Sequence, residues 1–394
     1  MTLPIHVFHS GMPNIPQLPA NGGAGALNAL IHACGVTGFG EKTLDDLSHV
    51  DGVATASCSA GLQLADGING MPHRIEISGS TNGWNGQYEL SAPPGSTTCT
   101  FNVDPGLPAT CTGPVTLKRA PAGMTRLSLV DDQAVYQFRD TNLMPGYLLL
   151  DDSQAQYAAA RLAESAVDPL EFGTMIGLCP TTLQVGGPGL IWRKTNSSGD
   201  DDRPFVLVFW AGGLYLFIAW YSSYPTQHDP FYAGACLTRR AADAFPGIIT
   251  GSTVNTVLWP GYNHGFHFKS GASQVGQYLQ RGYAQVGSAM PFQKTGMAFE
   301  SMLGGGTYPD PNPVDNANDA WGPIAISEGT TNTGTPVRGF MPGLWDLVNC
   351  QNRSHLDILQ NMPHLPGRRI LLVGCGYGSQ AYPVGLDIDG PWGP

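Results

Sequence analysis

The chain has 394 residues and a net charge of -11; 42% of it is hydrophobic and only 12% charged. The apolar share allows a sizeable core and argues against disorder, while 19 scattered Lys and Arg argue against a phosphate-rich partner such as nucleic acid. Gly (52) and Pro (32) are abundant, which breaks long helices and favours turns and short strands, and the lack of a three-residue period excludes collagen.

Residues 1–20 carry Pro4, Pro13, Pro16 and Pro19 and read as an extended arm. No basic segment leads into a long apolar one there, so no signal peptide is expected. Leu27, Leu30, Ile31 and Cys34 fall at helical spacing, which predicts a short amphipathic helix over 24–35 with Gly35 as its stop. From 43 to 120 the pattern alternates with period two. Strands are expected at Val53–Ser57, His73–Ile77, Gln87–Leu90, Thr98–Val103 and Thr112–Leu117, with turns at Asn82-Gly83, Asn85-Gly86 and Asp104-Pro105-Gly106. Such short strands make a small β-sandwich or open barrel, bounded by Gly40-Glu41-Lys42 and Pro121-Ala122-Gly123.

Beyond 121 further strands are expected at Ala134–Phe138, Gly146–Leu150 and Gly189–Trp192. Residues 155–165, AQYAAARLAES, have helix-forming composition. The apolar run Phe205–Tyr221 is at the short limit for a membrane span. Ala211-Gly212-Gly213 near its centre makes it two buried strands joined by a tight turn instead, so no membrane insertion is expected. Residues 290–335 look loop-rich, and Arg368–Val373 and Gly385–Ile388 read as strands. The fold class expected is therefore mainly β: several small sandwich- or barrel-like modules, one short N-terminal helix and long Gly/Pro-rich loops. The units are an arm and helix over 1–42, a small β-domain over 43–120, and a larger β-rich domain over 121–394 ending in an interaction tail.

Chemistry-bearing motifs are sparse. The eight cysteines include no C-x-x-C pair, which argues against zinc or thioredoxin chemistry; free thiols are the default, with a hairpin disulfide between Cys99 and Cys111 as the alternative. Ile370–Val373 followed by Gly374-Cys375-Gly376-Tyr377-Gly378 mimics a nucleotide-binding turn. Only 16 residues follow, too few for the βα units such a sheet needs, so a glycine-rich turn between two strands is expected. His264 and His267 lack companions for a metal site. Asp200-Asp201-Asp202, and Asp310 with Asp315 and Asp319, lack calcium-loop spacing and read as solvated turns. There is no G-x-S-x-G elbow, though a triad or a carboxylate pair scattered along the chain leaves no such mark. Trp84, Trp220 and Trp321 can stack on sugars, though burial is the commoner fate of Trp. No catalytic, cofactor-binding or metal-binding residue is expected, and the chain does not read as an enzyme.

The stretch Asp51–Lys118 resembles a small β-domain recurrent in phage tail and fibre proteins: Gly52–Ala56, Ile77-Ser78-Gly79, Asn85-Gly86, Thr98–Phe101 and Ala109–Gly113. It departs from that pattern at Ala60-Gly61, where the family usually has His-Gly. Phe8–Pro13, Gly38–Gly40, Leu117–Gly123, Arg338–Leu344 and Asp387–Trp392 are similar to segments of phage virion structural proteins. The resemblance implies a tail, baseplate or fibre component located in the virion, made in the host cytoplasm and acting by homo-oligomeric assembly with other virion proteins. Capsid decoration or a head fibre is the alternative, and a host-glycan-binding or glycan-cleaving tail-spike component the second. It brings no catalytic residue, and it implies strands rather than a helix over 146–165. The Pro-rich arm with Ile5, Val7 and Phe8, and the tail Ile388–Trp392, are expected to contact neighbouring subunits.

Overall fold

The computed structural model describes residues 4–68, 70–195, 201–219, 224–238, 243–253, 275–295, 319–329, 337–348, 353–375 and 382–392. Strands hold 48% of the residues and helices 6%, so the protein is mainly β. The N-terminal segment is not a free arm. Strand β1 (His6–His9) pairs antiparallel with residues Val206–Phe209, and Ile5, Val7, Phe8, Met12, Ile15 and Leu18 are all buried in this chain's own main core. The expected contact with a neighbour is thus replaced by one made within the chain: the prolines extend the segment, and its apolar side chains spend that extension on the body's sheet.

Helix α1 (Ala26–His32) forms where the apolar spacing places it, but Gly35 does not end it. The chain continues as a π-helical turn over Ala33–Thr37 and leaves at Gly38, at φ +75°. The residue before the helix is Gly25, which offers no side-chain cap. Asp152 supplies one from afar: its Oδ2 accepts from the N–H of Leu27 (2.7 Å) and Asn28 (3.0 Å). Lys194 Nζ donates to Asp152 Oδ1 (2.5 Å) and to Gly23 O (2.5 Å). Burial pushes the Asp152 carboxyl up, and Lys194 and the helix amides pull it back. Lys194→Met removes the only cation bonded to this buried carboxylate among the described residues, so a loss of about 3–5 kcal/mol is expected, read as a lower urea midpoint at unchanged slope. A midpoint matching the parent protein would show that the pair does not hold the helix.

Residues 39–119 make seven strands: β2 (Phe39–Thr43), β3 (Asp46–Val50), β4 (Val53–Ser57), β5 (Arg74–Ser78), β6 (Gly86–Glu89), β7 (Thr98–Asn102) and β8 (Thr116–Arg119). They form two sheets, ordered β2-β8-β5-β6 and β3-β4-β7. The inward residues Ile75, Ile77 and Leu117 of one sheet meet Leu47, Ala54 and Phe101 of the other in a core separate from the main one. The unit begins at Phe39, four residues before the expected edge, and its last strand starts at Thr116 rather than Thr112, because Pro114 has no N–H for the ladder. Cys99 is buried, Cys111 is partly exposed, and both are free thiols.

The larger body opens with β9 (Thr125–Val130), β10 (Gln133–Gln137), β11 (Tyr147–Asp151) and β12 (Tyr157–Ala163). Local composition favours helix over β12, but β11 pairs along one edge and β15 (Leu190–Arg193) along the other. Its even-numbered residues Ala158, Ala160 and Leu162 join the main core, while Ala163 turns to a second cluster with Val135 and Leu149. That two-sided burial outweighs helix propensity. Between β12 and β15 lie a two-residue ladder, β13 (Ser165–Ala166) with β14 (Met175–Ile176), and the short helix α2 (Thr182–Val185).

The apolar run is a hairpin, β16 (Phe205–Trp210) and β17 (Gly213–Ile218), closed by the pair Trp210–Gly213. No helix of the described residues is long and apolar enough to cross a membrane. The body continues through β18 (Asp229–Ala235), β19 (Leu237–Thr238), β20 (Gly247–Ser252), β21 (Val275–Leu279), β22 (Met290–Thr295), β23 (Asp319–Glu328), β24 (Val337–Val348), β25 (Ile358–Met362), β26 (Leu365–Cys375) and β27 (Tyr382–Asp387). The stretch expected to be loop-rich therefore contains β22 and β23. One ladder runs β1-β16-β17-β18-β20-β21-β22-β23-β24-β27-β26-β25. The C-terminal residues are likewise internal: Trp392 is buried with its ring 6.0 Å from those of Trp210 and Tyr215. Gly343, at φ +62°, makes room for it, since a Cβ there would sit 2.1 Å from the Trp392 ring. The expected interaction tail is, to Trp392, part of the fold.

Candidate functional site

Two places gather polar side chains with specific geometry. The first is the joint between sandwich and body. Asp66, in the loop before β5, has a side chain only 1% exposed. Its Oδ2 accepts from His9 Nε2 (3.1 Å), and its Oδ1 lies 3.5 Å from His73 Nε2. Gly11 N–H donates to His9 Nδ1 (3.2 Å), and Arg119 Nη1 donates to His73 Nδ1 (2.7 Å). Each Nδ1 is therefore an acceptor, and each Nε2 carries the proton that faces Asp66. Burial works to raise the Asp66 carboxyl, but the His9 bond and the neighbouring imidazoles hold it below the usual carboxylate range. Burial, then Arg119, pushes His73 down to about 4. Arg369 reinforces the joint by reaching Asp389 (2.5 Å) in the body and Glu89 (3.3 Å) and Gly70 O (3.3 Å) in the sandwich. An aspartate orienting imidazoles resembles half of a catalytic triad. Here both nitrogens of each ring are already engaged, so the cluster acts as a polar clasp.

The second is an open cleft of about 540 Å³ between the β13–β14 ladder, α2 and the turn joining β21 to β22. Glu164 and Arg281 form a two-pronged pair across it, Nε to Oε1 at 2.6 Å and Nη2 to Oε2 at 2.5 Å. The Arg281 guanidinium also lies 4.3 Å from the Phe245 ring centroid. Helix α2 is held in place by a capping box between Thr181 and Gln184, by Arg161 donating to Thr182 Oγ1 (3.1 Å), and by Gln184 Nε2 donating to Ala289 O (2.6 Å). Gln280 lines the cleft and accepts from Gly247 N–H through Oε1 (3.1 Å). That bond fixes its amide orientation, and its buried Nε2 has no hydrogen-bond partner among the described residues. Met175, Leu178 and Leu183 add apolar surface, Leu183 being 95% exposed. The cleft offers fixed donors and acceptors on a neutral ion pair beside apolar ledges, an arrangement suited to binding.

Neither place was visible in the sequence, because each joins residues far apart: 57 positions between His9 and Asp66, and 117 between Glu164 and Arg281. Of the residues singled out there, Trp84 is fully buried in the sandwich core. Gly374 and Cys375 lie in β26, which pairs antiparallel with β27 (Cys375 with Tyr382), whereas the strands of a nucleotide-binding sheet run parallel. Asp201 and Asp202 are exposed, and Asp319 opens β23. His264, His267, Asp200, Asp310, Asp315, Trp220, Cys350 and Gly376–Gly378 lie outside the described residues. Among the described residues no group of three or more His, Cys, Asp or Glu is placed to hold a metal ion. No protein-family model matches the chain, and no curated protein matches it.

Proposed function

We propose that this chain is a structural component of a tailed-phage particle, associated with the tail, baseplate or fibres, which works by assembling with other virion proteins and copies of itself and not by turnover. The observation that carries the reading is where the phage-like segments fall. Gly52–Ala56 is the turn and strand of β4, and Ile77-Ser78-Gly79 ends β5. Asn85-Gly86 opens β6, Thr98–Phe101 is β7, and Ala109–Gly113 leads to β8. All five belong to one seven-stranded sandwich with its own core. A self-contained β-module locked to a second β-body by a buried polar clasp is a suitable building block, since its orientation is set before assembly. The sparse charge also suits a surface that meets partner proteins.

The test is mass spectrometry and antibody labelling of density-gradient-purified particles from a culture carrying the gene. The chain is expected to co-sediment with the particles in fixed ratio, with the label on the tail or its appendages. A chain that remains in the particle-free fraction overturns the reading, and a label confined to the capsid shell moves it to capsid decoration.

A further inference from the structure

We infer that Lys194 and Asp152 form a self-modification site, at which the lysine Nζ condenses with the aspartate Cγ to give an amide cross-link within the chain and releases one water. The two side chains are 1% and 0% exposed, and Nζ lies 2.5 Å from Oδ1. They stand 42 positions apart in sequence. Asp152 follows β11 and Lys194 follows β15, the two strands that flank β12, so the bond ties the neighbours of β12 together at one end. Chemistry singles this pair out. The other ion-paired carboxylates among the described residues face arginine or histidine, apart from Glu76, whose partner is Lys118. A guanidinium keeps its proton and does not attack carbon. Lys118 and Glu76 are 21% and 25% exposed, so water keeps both charged. Lys194 is shielded from water, the setting in which a lysine becomes a nucleophile.

The step balances without a further reactant. A proton crosses from Nζ to Oδ1 along the existing hydrogen bond, leaving a neutral amine and a neutral acid. Burial favours both neutral forms: it pushes the Lys194 ammonium down and the Asp152 carboxyl up, against the opposing pull of each on the other and of Asp132 on Lys194. The amine lone pair then attacks Cγ, and the carbonyl electron pair moves onto Oδ2. That oxygen already accepts from the N–H of Leu27 (2.7 Å) and Asn28 (3.0 Å), two fixed donors at the spacing that stabilises a developing oxyanion. The tetrahedral centre collapses as Oδ2 regains its double bond. Oδ1 leaves as water, carrying the proton it received and a second one from the nitrogen. The product retains the partners of the ion pair. Oδ2 becomes the amide carbonyl, still facing Leu27 and Asn28, and the amide N–H faces Gly23 O, which lies 2.5 Å from Nζ. Two buried charges are replaced by one hydrogen-bonded neutral group, which removes their desolvation penalty.

The inference does not rest on the virion reading, and its test needs no partner. The purified full chain is aged at neutral pH, and its intact mass is measured by mass spectrometry under denaturing conditions. The expected mass is that of the sequence less one water. Proteolysis and tandem mass spectrometry are then expected to find one branched peptide joining the segment that holds Asp152 to the segment that holds Lys194. Hydroxylamine treatment separates this bond from a succinimide, which also costs one water and forms at Asp-Gly steps such as Asp51-Gly52 and Asp66-Gly67. The succinimide is opened and the amide survives. Lys194→Arg retains the positive charge but lacks the nucleophile, and Asp152→Ala lacks the acceptor carbon; each is expected to show its full calculated mass and no branched peptide. The parent protein alone decides the matter if either variant fails to fold. A parent chain that shows its full calculated mass after ageing, or whose lost water maps to another residue pair or to a succinimide, overturns the assignment. A branched peptide that persists in Lys194→Arg overturns it as well.

Discussion

Removal of residues 1–19 is expected to abolish folding of the body rather than to release a dispensable arm. Six side chains of this segment, Ile5, Val7, Phe8, Met12, Ile15 and Leu18, are each 1–5% exposed in the main core. At roughly 1.5–3 kcal/mol per buried side chain, their loss amounts to about 10 kcal/mol or more, comparable to the whole stability of about 5–15 kcal/mol typical of a folded protein. Deletion also strips β16 of its neighbour β1, leaving the all-buried strand FVLVFW as an open apolar edge. The expected result is insoluble or non-cooperatively unfolding protein. A milder version is Phe8→Ala, whose ring packs 5.8 Å from Phe39 and 6.0 Å from Phe209; a loss of about 3–5 kcal/mol is expected. Soluble truncated protein with a single sharp melting transition near that of the full chain would show that the segment's burial contributes little.

The second large effect is acid sensitivity beginning near pH 6.5. Burial pushes His6 down to about 3, with Arg74 and Arg139 adding to it. Burial, then Arg119, brings His73 to about 4 against the opposing pull of Asp66. His228 falls to about 3 through burial and His355, whose ring centroid is 4.5 Å away, and His355 itself falls to about 4 through burial and His9. The side-chain Nε2 atoms of His6 and His228 have no hydrogen-bond partner among the described residues, so a proton there would bring an unsatisfied charge.

These folded-state values lie below the 6.5 of the unfolded chain. Between pH 6.5 and about 4 the unfolded chain therefore holds more protons than the folded one, and stability falls as the pH falls, levelling off below about 3. Each fully buried histidine contributes about 1.4 kcal/mol per pH unit in this window, so His6, His73 and His228 together make acidification to pH 5 a loss of about 6 kcal/mol. Asp152 and Asp387, whose carboxyls burial pushes up, take up protons in the folded state and oppose part of it. Urea midpoints are expected to drop steadily from pH 7.5 through 6 to 5, with His6→Phe giving a shallower slope by about one proton. Midpoints that stay level across that interval would refute this account.

What could be read directly from the residues was whatever depends on near neighbours in the chain. The alternation in Val53–Ser57 and His73–Ile77 places β4 and β5 within a residue, and Ala211-Gly212-Gly213 marks the turn of the β16–β17 hairpin. What local reading misses shares one cause, contacts made at long range. The AQYAAARLAES stretch has helical propensity, and the strands implied there by the family resemblance form because ladders run along both edges of β12. The arm has too few apolar residues to bury itself, yet enough to fill a groove prepared by residues two hundred positions later. Helix α1 has no local cap because Asp152 provides it. The cleft and the His9–Asp66–His73 clasp are likewise built from pieces whose spacing along the chain carries no periodic mark.

The pairing of β1 with β16, and the seating of Trp392 against Trp210, together set an order of events during synthesis. The sandwich core draws on residues 47–117 alone, so that unit can close while the ribosome is still making the body. The first strand emerges before it but finds its partner only after residue 210 has left the exit tunnel, and the site beside Trp210 and Tyr215 stays open until residue 392 arrives. Between completion of the sandwich and emergence of residue 210 the nascent chain thus carries one finished module flanked by an unpaired apolar strand, the kind of intermediate that aggregates or recruits chaperones. Closing loops of this length makes the body slow to mature. Yield should accordingly respond more to translation speed and chaperone supply than to any substitution confined to the sandwich.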